Sequence, residues 1–302
     1  MSITPQYLKQ GDKIAIAATA RKVSREEMQP AVDIFSSWGL TVVFSDELFD
    51  AENQFAGNDE SRTKSFQKFS DDETVKAIFC ARGGYGTVRI IDHLDFTSFT
   101  SNPKWIVGYS DITVLHSHIN KNLNIQTLHA TMPINMQLHN GDEGSILSLK
   151  KMLFGENISY QISSHQFNKK GETKAQIVGG NLSVLYSLLG SKSDVDTTGK
   201  ILFLEDLDEY LYHIDRMMMN MKRNGKLNHL AGIVVGGMND MKDNTIPFGK
   251  SAEEIIYDYV KSFNYPVCFG FPAGHDKKNV ALRLGAEVLL KVDKEFSQLV
   301  FQ

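Results

Sequence analysis

Short apolar runs rich in isoleucine, valine and alanine recur through the first half of the chain, at Lys13 to Ala18, Thr41 to Phe44, Ala77 to Ala81, Trp105 to Gly108 and Ile125 to Leu128. Longer amphipathic stretches lie between them, around Arg25 to Trp38, Asp59 to Ser70 and Val88 to His93, and the segment after Ser110 reads as another helix. This rhythm leaves few folding options. The strands must be covered on both faces, and helical crossovers do that by laying them parallel, so an α/β N-terminal half is expected. From Ala175 the texture is more strand-like, with runs at Gln176 to Val178, Lys200 to Leu204, Gly232 to Val235, Val267 to Phe269 and Glu287 to Val292. Helices are expected there near Leu182 to Leu189, Tyr212 to Asn224 and Glu253 to Phe263. A polar turn at Gly141, a helical run from Ser145 to Phe154 and the weakly patterned Ile158 to Phe167 separate the halves. The 302 residues thus divide into an N-terminal domain over 1–145, a linker over 146–172 and a smaller, β-rich α/β domain over 173–302.

Lys and Arg total 32 against 36 Asp and Glu, a net charge of -4, so no basic field attracts a phosphate backbone and nucleic acid is not the expected partner. The longest stretch without a formal charge, Asn122 to Gly141, is too rich in Asn, Gln and His to sit in hydrocarbon, and no membrane span is expected. Lys9, Asp12 and Lys13 precede an apolar run that is short for a signal-peptide core; it reads instead as the first buried strand of a cytoplasmic protein. Cys80 and Cys268 each lie inside an apolar run and are expected as buried, reduced thiols.

Trp105 to Gly108 runs through Tyr109-Ser110-Asp111-Ile112 into a helical pattern, an apolar strand followed by Gly-x-Ser. Such an elbow lifts a serine hydroxyl above the sheet edge and aims the next backbone N–H and the helix N-terminus at a developing oxyanion. Position 112 is Ile where the usual elbow has a second glycine, and Ser110 serves equally well as an N-cap. Arg82-Gly83-Gly84-Tyr85-Gly86 also follows an apolar run. Its glycines form an anion cradle, half of an oxyanion hole, or simply a tight turn. The segment lacks the Lys-Ser/Thr ending of a P-loop and the spacing of a dinucleotide fingerprint.

A serine nucleophile needs a base. Of the nine histidines, His93, His139, His165 and His229 sit in polar surroundings, His213 lies on a helix surface, and His116 and His118 make a poor metal pair. His129, which ends a strand near the elbow, competes with His275, which follows a strand on a Gly/Pro loop. For a carboxylate to orient the imidazole, the apolar strand Ile201 to Leu204 ends in Glu205, with Asp206, Asp208 and Glu209 as competitors.

Gly11-Asp12-Lys13-Ile14-Ala15, Arg82-Gly83-Gly84-Tyr85-Gly86, Gly108-Tyr109-Ser110-Asp111 and Gly179-Gly180-Asn181-Leu182 occur in this order. They are followed by Phe203-Leu204-Glu205-Asp206, with Tyr212 and Asp215-Arg216 downstream, and by Gly274-His275 with Asn279. Together these segments resemble the LD-carboxypeptidase family of serine peptidases, which includes the microcin C self-immunity peptidases. The resemblance runs from Gly11 to about Leu290. His129-Ala130-Thr131 stands where the family commonly reads His-Gly-Pro, and Leu282-Arg283-Leu284-Gly285 where it reads Leu-Pro-x-Gly.

The resemblance implies a Rossmann-like N-terminal domain, similar to class I amidotransferases, and a C-terminal domain that supplies Glu and His. It implies Ser110 as nucleophile, His275 as general base and Glu205 as the orienting carboxylate; the elbow and the glycine turn then offer the backbone N–H groups of Asp111 and Gly84 as the oxyanion hole. Arg82 and Arg216 are candidate cations for a substrate carboxylate, and Asn181 either binds substrate amide or caps a helix. The implied substrate is murein tetrapeptide, cleaved before its terminal D-alanine during cytoplasmic cell-wall recycling, with no metal or organic cofactor and with the enzyme a homodimer. A peptidyl-nucleotide substrate of the microcin-immunity type is the alternative. Two readings come from other classes: a non-catalytic anion-binding module, and a cysteine amidotransferase, for which the elbow lacks a cysteine.

Overall fold

In the computed structural model, which describes residues 2–136 and 143–301, the apolar runs of the first half become β1 (Lys13–Ala17), β2 (Thr41–Val43), β3 (Val75–Cys80), β4 (Trp105–Gly108) and β5 (Thr127–His129). His139 and the turn at Gly141 lie outside the described residues. The stretches between them form α1 (Arg25–Ser37), α2 (Asp59–Asp71), α3 (Thr87–Ile90), α4 (Thr97–Ser101) and α5 (Thr113–Asn122). Local chemistry sets the helix starts. Ser24 and Glu27 close a capping box on α1, and the Asn58 side chain accepts the Ser61 N–H at the head of α2.

The second half contains α6 (Glu143–Leu153), β6 (Ile158–Ser163), β7 (Gly171–Asn181), α7 (Leu182–Ser187), β8 (Ile201–Leu207), α8 (Leu211–Arg223) and β9 (Gly232–Asn239). It ends with α9 (Ala252–Val260), β10 (Val267–Cys268), β11 (Leu282–Leu284), β12 (Glu287–Val292) and β13 (Phe296–Phe301). Among the described residues, no helix is long and apolar enough to cross a membrane.

Two sheets result, as the two-domain α/β reading expects. The first has the order β11-β5-β4-β3-β1-β2, with β1 to β5 parallel and β11 antiparallel to β5. Because β1 lies between β2 and β3, the connections leave β1 and β3 in opposite directions. The loops after Ala17 and Cys80 therefore flank a crevice at the strands' carboxyl ends, where α/β sheets bind ligands. The second sheet is mixed, in the order β10-β9-β8-β7-β12-β13-β6: β7 to β10 run parallel, and the β12, β13 and β6 ladders are antiparallel.

Three elements escape the apolar-run reading. β13 buries only alternate residues, α4 is one short turn, and β11 holds three residues. Residues 146–172 carry most of α6 and all of β6, which pairs with β13 along its length. Among the described residues, β11 is the one strand of the second half that enters the first sheet, pairing Leu282 with His129 and Leu284 with Thr127. One apolar cluster runs through both sheets, joining Trp105, Val107 and Leu128 to Phe203, Phe271, Leu282 and Leu284. Cys80 and Cys268 are buried, unpaired thiols, as expected.

Candidate active site

The elbow forms because β4 is fully buried and must turn sharply at its end. A side chain at Gly108 would place its Cβ 2.7 Å from Ile112 Cγ1, so only glycine lets the turn fold back this tightly. Ser110 opens a short 3-10 turn, Ser110–Ile112, that leads into α5, and it holds φ +64°. A non-glycine residue in this left-handed region is strained, as nucleophile elbows are. The Ser110 side chain caps neither the 3-10 turn nor α5, so the capping account does not describe it.

The glycine turn packs against this serine. A Cβ on Gly83 would lie 3.1 Å from Ser110 Cβ and 3.3 Å from its Oγ, while Gly84 and Gly86 hold φ of +112° and +154°. Asp111 ties the two turns together, its buried carboxylate accepting the Thr87 N–H at 2.9 Å. Burial raises the Asp111 pKa against that hydrogen bond. The Thr87 hydroxyl in turn donates to Thr19 Oγ1 at 2.8 Å, fixing the glycine turn to the loop after β1.

Glu205 and His275 come from the other domain. The β8–β9 pairing slips between Leu204 and Asp206. Glu205 keeps to the side of Phe203, and Asp206 turns toward α7, where it accepts from Asn181 Nδ2 and the Ser183 N–H. Glu205 Oε2 stands 2.7 Å from His275 Nδ1, so that nitrogen carries the proton and Nε2 keeps its lone pair. Gly274 makes the approach possible: a Cβ there would sit 2.6 Å from Glu205 Oε2, and the residue needs φ +108°. Asn279 Oδ1 accepts the Gly274 N–H at 2.9 Å, and Asn239 Nδ2 donates to the His275 carbonyl at 3.0 Å, so the loop is held at both ends. The Tyr109 ring, beside Ser110 in sequence, packs edge-on against the His275 ring at 4.9 Å. A direct link joins the domains next to it, with the Asn181 N–H donating to Thr113 Oγ1 at 3.0 Å.

The two neighbouring carboxyls are driven apart. For Glu205, burial works to raise the pKa but is outweighed by the flanking His129 and His275 rings, the latter hydrogen-bonded to it, which hold it down to about 2. Asp206 is pushed up to about 7 by burial and by the Glu205 charge, against its N–H donors. His275 rises above its ordinary range: burial opposes the charge, and the Glu205 carboxylate overcomes it.

His129, the rival base, reaches the same carboxylate from the other side, with Nε2 4.0 Å from Glu205 Oε1. Its side chain is 0% exposed where that of His275 is 13% exposed, so only His275 is open to an incoming molecule. The His129 ring packs on Phe203 at 4.9 Å and faces His116, whose Nε2 meets the Gly108 carbonyl at 2.9 Å. Burial and the His129 ring hold His116 down to about 3, so it stays neutral. Two histidines flanking one buried carboxylate were not legible in the sequence; only the pairing of Gly108 with His129 in the sheet brings them there.

The other sequence candidates separate. The Asn181 side chain caps α7, accepting the Val184 N–H at 3.1 Å. Arg216 is exposed on α8 over the Tyr212 ring, in a hollow lined by Tyr186, Met219 and Asn220. Arg82 stands half-buried at the start of the glycine turn. His93 and His229 are exposed, His165 is half-buried, and His213 is bound to Glu209. Burial pushes the Cys80 thiol up, and Cys268 to about 11, so neither is a ready nucleophile. Sequence reasoning missed Arg21, whose stem lies across Gly84: a Cβ on that glycine would be 2.6 Å from Arg21 Cδ and 2.7 Å from Nε.

The LD-carboxypeptidase N-terminal domain family matches residues 14–130, and the LD-carboxypeptidase C-terminal domain family matches residues 174–290. A probable murein peptide carboxypeptidase of Bacillus subtilis is 33% identical over 297 residues, covering 96% of this chain and 92% of the relative. The crystal structure of muramoyltetrapeptide carboxypeptidase from Oxalobacter formigenes superposes with a TM-score of 0.87 at 26% identity, covering 96% of this chain and 99% of that one. Microcin C7 self immunity protein MccF, in complex with aspartyl sulfamoyl adenosine, gives a TM-score of 0.87 over 100% of this chain and 99% of its own. At 19% identity, that likeness speaks to the fold alone.

Proposed function

The chain belongs to the LD-carboxypeptidase family, a family of serine hydrolases, and on that premise we propose that it removes the terminal D-alanine from murein tetrapeptide, with Ser110 as nucleophile, His275 as general base and Glu205 as its orienting carboxylate. The substrate is supported by the names of the relatives from Bacillus subtilis and Oxalobacter formigenes. The observation that carries the triad is the 2.7 Å hydrogen bond from His275 Nδ1 to Glu205 Oε2, on a loop whose neighbour across the domain boundary is Tyr109.

In this reading His275 Nε2 takes the Ser110 proton as the hydroxyl oxygen attacks the carbonyl of the diamino acid. The developing oxyanion is held by the N–H groups of Asp111 and Gly84, and removing one such donor costs about 100- to 1000-fold in rate. His275 then protonates the leaving amine of D-alanine, and a water activated by the same imidazole hydrolyses the acyl-enzyme. The enzyme acts on recycled peptide in the cytoplasm, as the homodimer that the family resemblance implies.

The test is D-alanine release from L-Ala-D-Glu-(diamino acid)-D-Ala. Turnover is the expected result, and a folded protein that releases none overturns the substrate assignment. A finer check addresses the loop. Gly274→Ala forces a methyl into the Glu205 carboxylate and is expected to lower kcat about 100-fold, the scale of a 1 Å misplacement. Urea unfolding of the same variant is expected to show a loss of about 1 to 3 kcal/mol. Wild-type kinetics for Gly274→Ala would remove the argument that this glycine sets the His–Glu distance.

A further inference from the structure

A carboxypeptidase must distinguish a free chain end from an internal peptide, and that calls for a cation near the scissile bond. We infer that Arg21 is the specificity-determining residue that reads the substrate's C-terminal carboxylate. The inference rests on the carboxypeptidase reading of the site and deepens it.

Three observations place Arg21 there. First, it follows β1, and the glycine turn follows β3; these adjacent strands bound the crevice where the chain's connections diverge, and the Ala81 N–H donates to the Ala17 carbonyl at 2.8 Å at its base. Second, its Cγ, Cδ and Nε lie 2.8, 2.6 and 2.7 Å from where a Gly84 Cβ would stand, so any side chain at 84 would evict it. Gly84 follows Gly83, which packs on Ser110 Oγ. The stem thus packs on Gly84, the residue next in the chain to the glycine that faces Ser110. Third, the residue is exposed, and among the described residues its side chain has no hydrogen-bond or ion-pair partner. Arg25, Arg62 and Arg89, by contrast, each meet an aspartate.

The spacing suits the task. With a scissile carbonyl oxygen at Gly84, the terminal carboxylate lies one residue further on, about 3.8 Å in Cα spacing. That is within the span of a guanidinium whose stem already crosses this glycine. Its planar fork pairs with a carboxylate in bidentate fashion.

The experiment compares the tetrapeptide with its C-terminal carboxamide in the wild type, Arg21→Met, Arg21→Lys and Arg82→Met. Methionine keeps an unbranched stem over Gly84 and removes the charge. Arg21→Met is expected to raise KM for the acid about 10- to 100-fold, the loss of a hydrogen bond to a charged group, with kcat little changed. It should turn over the carboxamide as the wild type does, while Arg21→Lys recovers part of the acid preference. If the wild type prefers the acid and Arg21→Met keeps that preference, or if Arg82→Met alone abolishes it, the assignment of Arg21 is overturned and the carboxypeptidase reading stands. A folded wild type that turns over neither peptide, or both equally, overturns that reading and the role of Arg21 with it.

Discussion

Ser110→Ala is expected to abolish D-alanine release, lowering kcat by about a millionfold, the scale seen when a serine nucleophile is removed from an intact triad. The fold should survive, because the Ser110 side chain caps no helix and alanine keeps its Cβ. Tetrapeptide binding by the variant, measured calorimetrically, is expected to remain. A companion substitution separates chemistry from strain. Ser110 holds φ +64°, so Ser110→Gly should be equally inactive yet relieve about 1 kcal/mol of backbone strain, visible as a higher unfolding midpoint in urea. Equal release by Ser110→Ala and wild type would discard Ser110 as nucleophile.

The second large effect is expected at Glu205. Glu205→Gln preserves shape but removes the charge that fixes the imidazole tautomer, and kcat should fall about 10,000-fold. The pH dependence follows from the signs of the shifts. His275 must be neutral to take a proton, and its pKa lies above the ordinary 6.5, so the acid limb of kcat/KM should fall above that pH in the wild type. In Glu205→Gln the residual activity should show that limb moved downward. Stability responds in two windows. The Glu205 carboxyl, held at about 2 against an ordinary 4.5, contributes stability that is present above 4.5 and lost as pH falls toward 2. The raised His275 contributes stability that is fully present below 6.5 and lost as pH climbs through its folded value. An acid limb that does not move in Glu205→Gln would separate Glu205 from the base.

How far the sequence reaches depends on how local each feature is. The elbow and the glycine turn are short continuous segments in which a strand, a glycine and a polar residue are read together, and Gly108, Ser110 and Gly84 all have the backbone role such segments need. Glu205 and His275 lie 70 residues apart, and residue spacing left Asp206, Asp208, Glu209 and His129 as competitors until the family resemblance chose between them. The structure adds a physical reason that no local pattern holds. Of the two sides of β8, Glu205 takes the one that meets His275 and Asp206 the one that meets Asn181, and burial leaves His129 without access to an incoming molecule. Arg21 was invisible for the same reason: it is close to Gly84 only because β1 and β3 are neighbours in the sheet.

The return of β11 to the first sheet changes what kind of machine this is. The chain leaves the second sheet at β10, presents His275, and within a few residues is hydrogen-bonded to β5 before going back to pair β12 with β7. His275 therefore rides on a bridge anchored at both banks. A hinged jaw would have to break the β11 ladder and the shared apolar cluster at each opening, so the molecule behaves as a vice machined to a fixed gap. Two halves expressed separately would each carry a raw sheet edge and half a core, and neither would be a working part.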